Sequence, residues 1–81
     1  MAEVIFIYKG KQTTIQCLKE EKIKNICNKY TSKIEKDINS LYFLYRGNQI
    51  NFELTFKEQA NNLDKERKVM NVFVYDQDNN E

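Results

Sequence analysis

The thiol side chains of this chain are those of two cysteines, Cys17 and Cys27. Two thiols are too few for a disulfide framework or a metal cluster. The 81-residue chain has no histidine, so the commonest general base and the commonest zinc ligand are both missing. Its glycines, Gly10 and Gly47, lie too far apart for a phosphate-binding loop. We therefore expect no enzyme activity, no metal site and no cofactor.

The positions of the two cysteines favour a structural role. Cys17 shares the apolar phase of its segment with Ile15, and Cys27 follows Ile26 within a helical pattern. A small buried core residue is the favoured interpretation of each, and a redox pair is the alternative.

Overall composition indicates a small domain without a strong charge. Thirteen basic and 12 acidic residues give a net charge of +1, so we expect neither a nucleic-acid nor a membrane partner. A chain of this length has little core to spare for an internal site, so a small-molecule ligand is not expected. It has no apolar run of membrane-spanning length and no signal-peptide pattern at its start, so a cytoplasmic or nuclear location is expected.

Hydrophobic periodicity divides the chain into five strands and one main helix. Strands are predicted at 3–8 and 13–17, on either side of Gly47, and at 70–75. A helix begins near Glu21, where no N-capping residue is evident, and a short helical turn is predicted at 55–60. The helical stripe that should face the sheet comprises Ile23, Ile26, Cys27, Tyr30 and Ile34. The polar face of this helix is locally basic, which is typical of a solvated surface and would also suit an acidic partner.

The segment Asn39–Ile50 has the most specific pattern in the chain. It reads Asn-Ser-Leu-Tyr-Phe-Leu-Tyr-Arg-Gly-Asn-Gln-Ile, a strand followed by a turn at Gly47 and the start of a second strand. This sequence pattern resembles the central hairpin of ubiquitin-like proteins, and most closely that of the SUMO branch. The resemblance covers about 3–75 and implies an α+β, β-grasp fold: a mixed sheet of about five strands with one helix across one face. We predict a ubiquitin-like, SUMO-like domain over 1–76 and a polar tail over 77–81.

The outer face of the predicted sheet is the first candidate site. The helix can cover one side, and strand alternation assigns Ile5, Ile7, Ile15 and Cys17 to that side together with Leu41, Phe43, Tyr45, Val72 and Val74. The strand order that the resemblance implies would join the outward side chains into one apolar patch, of the kind that usually marks a protein-binding surface. Its members would be Phe6, Tyr8, Tyr42, Leu44, Phe73 and Tyr75.

A groove between the second strand and the helix is the second candidate site. The resemblance implies that this groove could accept a short hydrophobic peptide as an added strand. Several positions that are basic in SUMO-like proteins are not basic here, among them Gln16, Leu18 and Asn25, so an ordinary seam between helix and sheet is an equal alternative. The residues that would form the groove are Ile15, Leu18, Lys24, Tyr30 and Lys33.

Two functional classes remain open at this stage, and a third is weaker. The sequence given ends in Asp78-Asn79-Asn80-Glu81 without Gly-Gly, which favours a non-conjugated interaction domain with a protein partner. A SUMO-like modifier whose conjugating C-terminus is not part of this sequence is the alternative. A structural subunit of a larger assembly would also use an apolar sheet face.

Overall fold

The structure, a computed structural model, describes residues 1–77 as a five-stranded sheet with a helix packed across one face. Within this range no helix combines the length and the apolar character needed to cross a membrane. The strands are β1 (Ala2–Tyr8), β2 (Lys11–Cys17), β3 (Leu41–Tyr45), β4 (Asn48–Gln49) and β5 (Val69–Asp76). The helices are α1 (Ile23–Ile34), α2 (Phe56–Gln59) and α3 (Asn62–Arg67), with a 3₁₀ turn at Ile38–Ser40.

The strands lie in the order β2-β1-β5-β3-β4. β1 pairs with β5 in parallel, and the other neighbouring strands pair antiparallel. This mixed sheet with a single main helix confirms the predicted β-grasp fold. The predicted boundary between domain and tail stays a prediction, because 78–81 lie outside the described residues.

Both hairpins turn on a residue pair with positive φ. Lys9 and Gly10 have φ of 52° and 80°, and Arg46 and Gly47 have φ of 53° and 84°. Two successive residues with positive φ are the requirement of the type I′ turn, whose twist matches that of the flanking strands. Glycine adopts this conformation without strain in the second position of each turn, which explains the turn predicted at Gly47.

The core lies between α1 and the sheet. The predicted helical stripe is confirmed, since Ile23, Ile26, Cys27 and Tyr30 are buried and Ile34 packs against the core at its edge. Phe6 of β1 stacks on Tyr30 with ring centroids 4.2 Å apart, and Phe43 of β3 meets Phe6 edge-on at 6.0 Å. These three rings connect two strands to the helix.

The predicted faces of β1 are wrong. Phe6 is fully buried and Tyr8 packs half-buried against the core, whereas Ile5 and Ile7 lie on the outer face. From Val4 to Tyr8 every side chain is apolar or aromatic, so alternation of polarity does not show which residues face the core. An assignment that is wrong by one residue exchanges the buried face of the strand with the outer one. The charge of Glu3 could have decided the phase, because Glu3 alternates with Ile5 and Ile7.

The connection between β4 and β5 contains two short helices. The Thr55 hydroxyl accepts a hydrogen bond from the Glu58 amide, and the Glu58 carboxylate accepts one from the Thr55 amide, which completes a capping box at the start of α2. This confirms the predicted turn at 55–60, and Phe56 fills the core beneath it. No helix was predicted between the turn at 55–60 and the last strand, but this segment forms α3 with Asn61 as its N-cap.

We expect Phe6→Ala to lower the free energy of unfolding by about 3–5 kcal/mol, because the substitution leaves a cavity beside Tyr30 and Phe43. The same change at Phe73, which is 46% exposed, should cost less than about 1 kcal/mol. Urea unfolding followed by circular dichroism measures both. Equal losses for the two variants would show that the faces of β1 and β5 are wrongly assigned.

Both thiols should be unreactive in the folded protein. Burial raises the pKa of Cys17 from 9.0 to about 11 and that of Cys27 from 9.0 to about 12. A disulfide reagent at pH 8 should therefore modify the thiols only after unfolding. Because the unfolded thiols ionise near pH 9, their contribution to stability should be complete below pH 9 and be lost as pH rises toward 11–12. Fast labelling of either thiol in the native protein would contradict this placement.

Candidate functional site

The sheet side opposite α1 carries a continuous row of apolar side chains. Phe73 of β5 lies between Ile7 of β1 and Leu44 of β3, because Ile7 and Leu44 are both register partners of Phe73. In the next row Tyr42 and Tyr75 are partners, and their rings stack with centroids 5.6 Å apart. With Ile5, these side chains form what we call the apolar patch: Ile5, Ile7, Tyr42, Leu44, Phe73 and Tyr75.

Four of the six residues predicted for this face lie on it. Tyr42 and Leu44 are partly exposed, and Phe73 and Tyr75 are exposed by 46% and 45%. The assignments of Phe6 and Tyr8 to this face are wrong, for the reason given for β1. Ile5 and Ile7 were missed and take their places, so the patch retains its position in the sheet but has an aliphatic side where aromatic rings were expected.

A hollow of about 400 Å³ adjoins the patch where β1 ends and β5 continues. Ile7, Phe73 and Tyr75 line it, together with Gly10 of the first turn. One wall is fixed by Asp76, whose carboxylate accepts a hydrogen bond from the Tyr8 hydroxyl at 2.6 Å and lies 3.2 Å from the Lys9 ammonium. The hydrogen bonds from Tyr8 and Lys9 lower the pKa of Asp76. The hollow could hold a bulky apolar side chain of a partner.

The predicted groove between β2 and α1 is largely closed. Ile15 and Tyr30 are buried core residues, and Leu18, Lys24 and Lys33 are exposed around them. These five residues therefore do not line one open channel.

Glu21 and Lys29 form a clasp at the edge of β2. The Lys29 ammonium lies 2.8 Å from the Glu21 carboxylate and donates to the backbone oxygen of Gln16 at 3.4 Å. The Leu18 amide donates to the other Glu21 oxygen at 3.2 Å. Burial alone would raise the pKa of Glu21, but the bonds from Lys29 and Leu18 lower it. A peptide adding to β2 would have to displace this clasp, because Lys29 occupies one of the edge carbonyls.

A buried polar pair that the sequence did not predict connects β3 to α3. The Tyr45 hydroxyl donates to the Asp64 carboxylate at 2.6 Å and accepts from the Asn61 amide at 3.0 Å. Burial, and next the bond to Asp64, raise the pKa of Tyr45. Arg46 reaches the second Asp64 oxygen at 3.5 Å. Tyr45 and Asp64 are 19 residues apart, so local patterns could not reveal the pair. An Asn-x-x-Asp spacing from Asn61 was a weak signal of a capped helix.

The comparisons with known proteins establish the fold. No protein-family model matches the chain, and no curated protein sequence matches it. The crystal structure of ATBAG1 in complex with HSP70 matches with a TM-score of 0.79 and 8% sequence identity, over 95% of this chain and 41% of that chain. This chain thus corresponds to less than half the length of the chain it matches. At this identity the likeness concerns the fold, and the chain has the ubiquitin-like, β-grasp fold.

Tyr45→Phe should reduce the free energy of unfolding by about 1–3 kcal/mol, because it removes a hydrogen bond to the buried Asp64 carboxylate. Tyr75→Phe is the matched control. Because Tyr75 is 45% exposed, its hydroxyl can hydrogen-bond to water in the folded as in the unfolded protein, so its loss should change stability little. Thermal and urea unfolding of the two variants give the comparison. If Tyr45→Phe is as stable as Tyr75→Phe, the pair does not hold α3 against the sheet.

Proposed function

We propose that the chain is a non-catalytic ubiquitin-like interaction domain that binds a protein partner through the apolar patch. The observation that carries this proposal is the row Ile7–Phe73–Leu44, which lies on the sheet face that α1 does not cover. A contiguous apolar surface of this kind costs free energy while it faces water, and a partner that covers it recovers that free energy.

Two further observations support a protein as the partner. The patch is rich in aromatic rings at its centre and edge, which is the composition typical of residues that dominate binding energy. A chain of the same fold is found in a complex with HSP70. The clasp of Glu21 and Lys29 favours the patch over the β2 groove as the working surface.

The finer assignment is also a proposal. The amino-acid sequence of Asn39–Ile50 supports a relationship to SUMO-like domains within the ubiquitin-like fold. The absence of histidine from the sequence supports a role without catalysis or a cofactor, and we propose a cytoplasmic or nuclear location.

Leu44→Asp should abolish partner binding while leaving the domain folded. The substitution places a carboxylate beside Phe73, where a partner would have to desolvate it, and the expected loss of affinity is at least a hundredfold, or about 3 kcal/mol. The immobilised wild-type and variant domains are exposed to lysate of the source cells, and the retained proteins are compared by quantitative mass spectrometry. Circular dichroism checks that both domains are folded.

Lys33→Glu is the control, because Lys33 lies on the exposed face of α1 and belongs to the groove rather than the patch. It should retain the wild-type set of bound proteins. If Lys33→Glu loses that set and Leu44→Asp keeps it, the groove is the binding surface and the proposal is wrong.

A further inference from the structure

A second hollow, of about 270 Å³, opens at the other end of the apolar patch. It is lined by Tyr45, Arg46, Asp64, Asn71 and Phe73. Phe73 belongs both to this hollow and to the centre of the patch, so a partner seated on Phe73 also reaches the hollow. The two ends of the patch differ in chemistry, because this end contains a guanidinium and a carboxylate.

The carboxylate in this hollow is already satisfied, whereas the guanidinium is not. The Asp64 side chain is 6% exposed and holds the Tyr45 hydroxyl on one oxygen and Arg46 on the other. The Arg46 side chain is 54% exposed, makes one long contact of 3.5 Å with Asp64, and lies 6.0 Å over the centre of the Tyr45 ring. A guanidinium has five donor hydrogens and binds a carboxylate best through two parallel hydrogen bonds. Arg46 therefore has donors free for an anionic group.

The rest of the outer face offers little competing charge. The described strand residues next to the patch are uncharged: Gln12, Thr14, Gln16, Gln49 and Asn71. Glu3 is the acidic residue on this face, and the strand spacings place its Cα roughly 12 Å from the Arg46 end of β3, beyond the screening length in physiological salt. An anion that binds beside Phe73 would thus meet the exposed Arg46 guanidinium, because the nearby Asp64 carboxylate is 6% exposed and both of its oxygens are already bonded, to Tyr45 and to Arg46.

The size of the patch indicates a short binding segment. Two strand spacings separate Ile7 from Leu44, about 10 Å, and the patch extends about 13 Å along the strands. This footprint matches one helix, about 10 Å across, or a short extended segment. A stable dimer of this chain would need about 800 Å² from each copy, which the patch cannot supply.

We infer, on the basis of the proposed function, that the partner contributes a short segment with an apolar anchor on Phe73 and an Asp or Glu carboxylate on Arg46. The anchor excludes water from the neighbouring guanidinium, which strengthens the charge pair, and the pair fixes the direction in which the segment lies across the patch. The patch alone would accept apolar segments in either direction, so Arg46 supplies specificity.

A phage-displayed library of random 16-residue peptides tests this inference. The library is selected separately against the immobilised wild-type domain and against Arg46→Gln, Arg67→Gln and Leu44→Asp. Arg67→Gln is the matched control, because Arg67 is exposed on α3 and does not line either hollow. Wild type and Arg67→Gln should select peptides with an aliphatic or aromatic residue at a fixed distance from Asp or Glu. Arg46→Gln should select apolar residues without the acidic one.

A double-mutant cycle then measures the contact. The best wild-type peptide should bind Arg46→Gln at least tenfold more weakly. The same peptide with its acidic residue changed to the amide should lose a similar factor on wild type and nothing further on Arg46→Gln. Arg46→Lys retains a cation beside Asp64, and so retains the fold if Arg46→Gln loses stability, but it lacks the second parallel hydrogen bond and should bind with intermediate affinity.

The outcomes separate this inference from the proposed function. Wild-type peptides without a fixed acidic residue, or equal affinity for wild type and Arg46→Gln, overturn the role of Arg46 and leave the patch as the binding surface. Selection of the same peptides by a folded Leu44→Asp domain overturns the proposed function itself. If the wild-type domain selects no sequence, the patch does not bind short segments and this inference is overturned, while the comparison of Leu44→Asp with Lys33→Glu in lysate still decides the proposed function.

Discussion

The stacking of Phe6 on Tyr30 is the contact on which the arrangement of the domain depends. The two rings are nearly parallel, 14° apart, and they fix β1, which lies between β2 and β5, against α1. Phe43 meets both rings edge-on, which positions β3 relative to the same helix. Because aromatic pairs have preferred geometries, these contacts determine which face of each strand is buried as well as how much surface is buried. The outward direction of Ile7, Leu44 and Phe73 is a consequence of that choice.

One helix cannot cover a five-stranded sheet on both sides. In a larger α/β protein a second helical layer would bury the opposite face, and the strands would be apolar on both sides. Here β1 and β5 also have apolar side chains on the side away from the core, at Ile5, Ile7 and Phe73. The described residues, however, provide no second helical layer to cover them. The apolar patch is therefore the part of the sheet that the described residues leave uncovered. The ion pairs of Asp76 with Lys9 and of Asp64 with Arg46 lie at its two ends, so charged residues border the patch on both sides.

The buried faces of the strands and helices could be predicted from the sequence where neighbouring side chains differ in polarity. The faces of β2 and α1 were predicted correctly because Thr14 and Gln16 alternate with Ile15 and Cys17, and because one helical stripe is apolar. β1 lacks that contrast from Val4 to Tyr8, so its phase is indicated in the sequence by the single charge of Glu3 and is fixed in the structure by the ring of Tyr30, which lies in a different element. α3 has a single large apolar residue, Leu63, and that residue is exposed, so no amphipathic stripe marked the helix. It is held instead by its cap and by the long-range bond from Tyr45, which no local pattern contains.

The parallel pairing of β1 with β5 has a mechanical consequence. The described chain starts at β1 and ends just after β5, and these strands are adjacent from Glu3–Val69 to Tyr8–Val74. A force that pulls residues 1 and 77 apart would act along both strands in opposite directions and load their hydrogen bonds together. A force directed across the strands would instead break the hydrogen bonds between β1 and β5 one at a time. A tether attached at the two ends would therefore meet high resistance, and the apolar patch, which spans these strands, would keep its shape under tension.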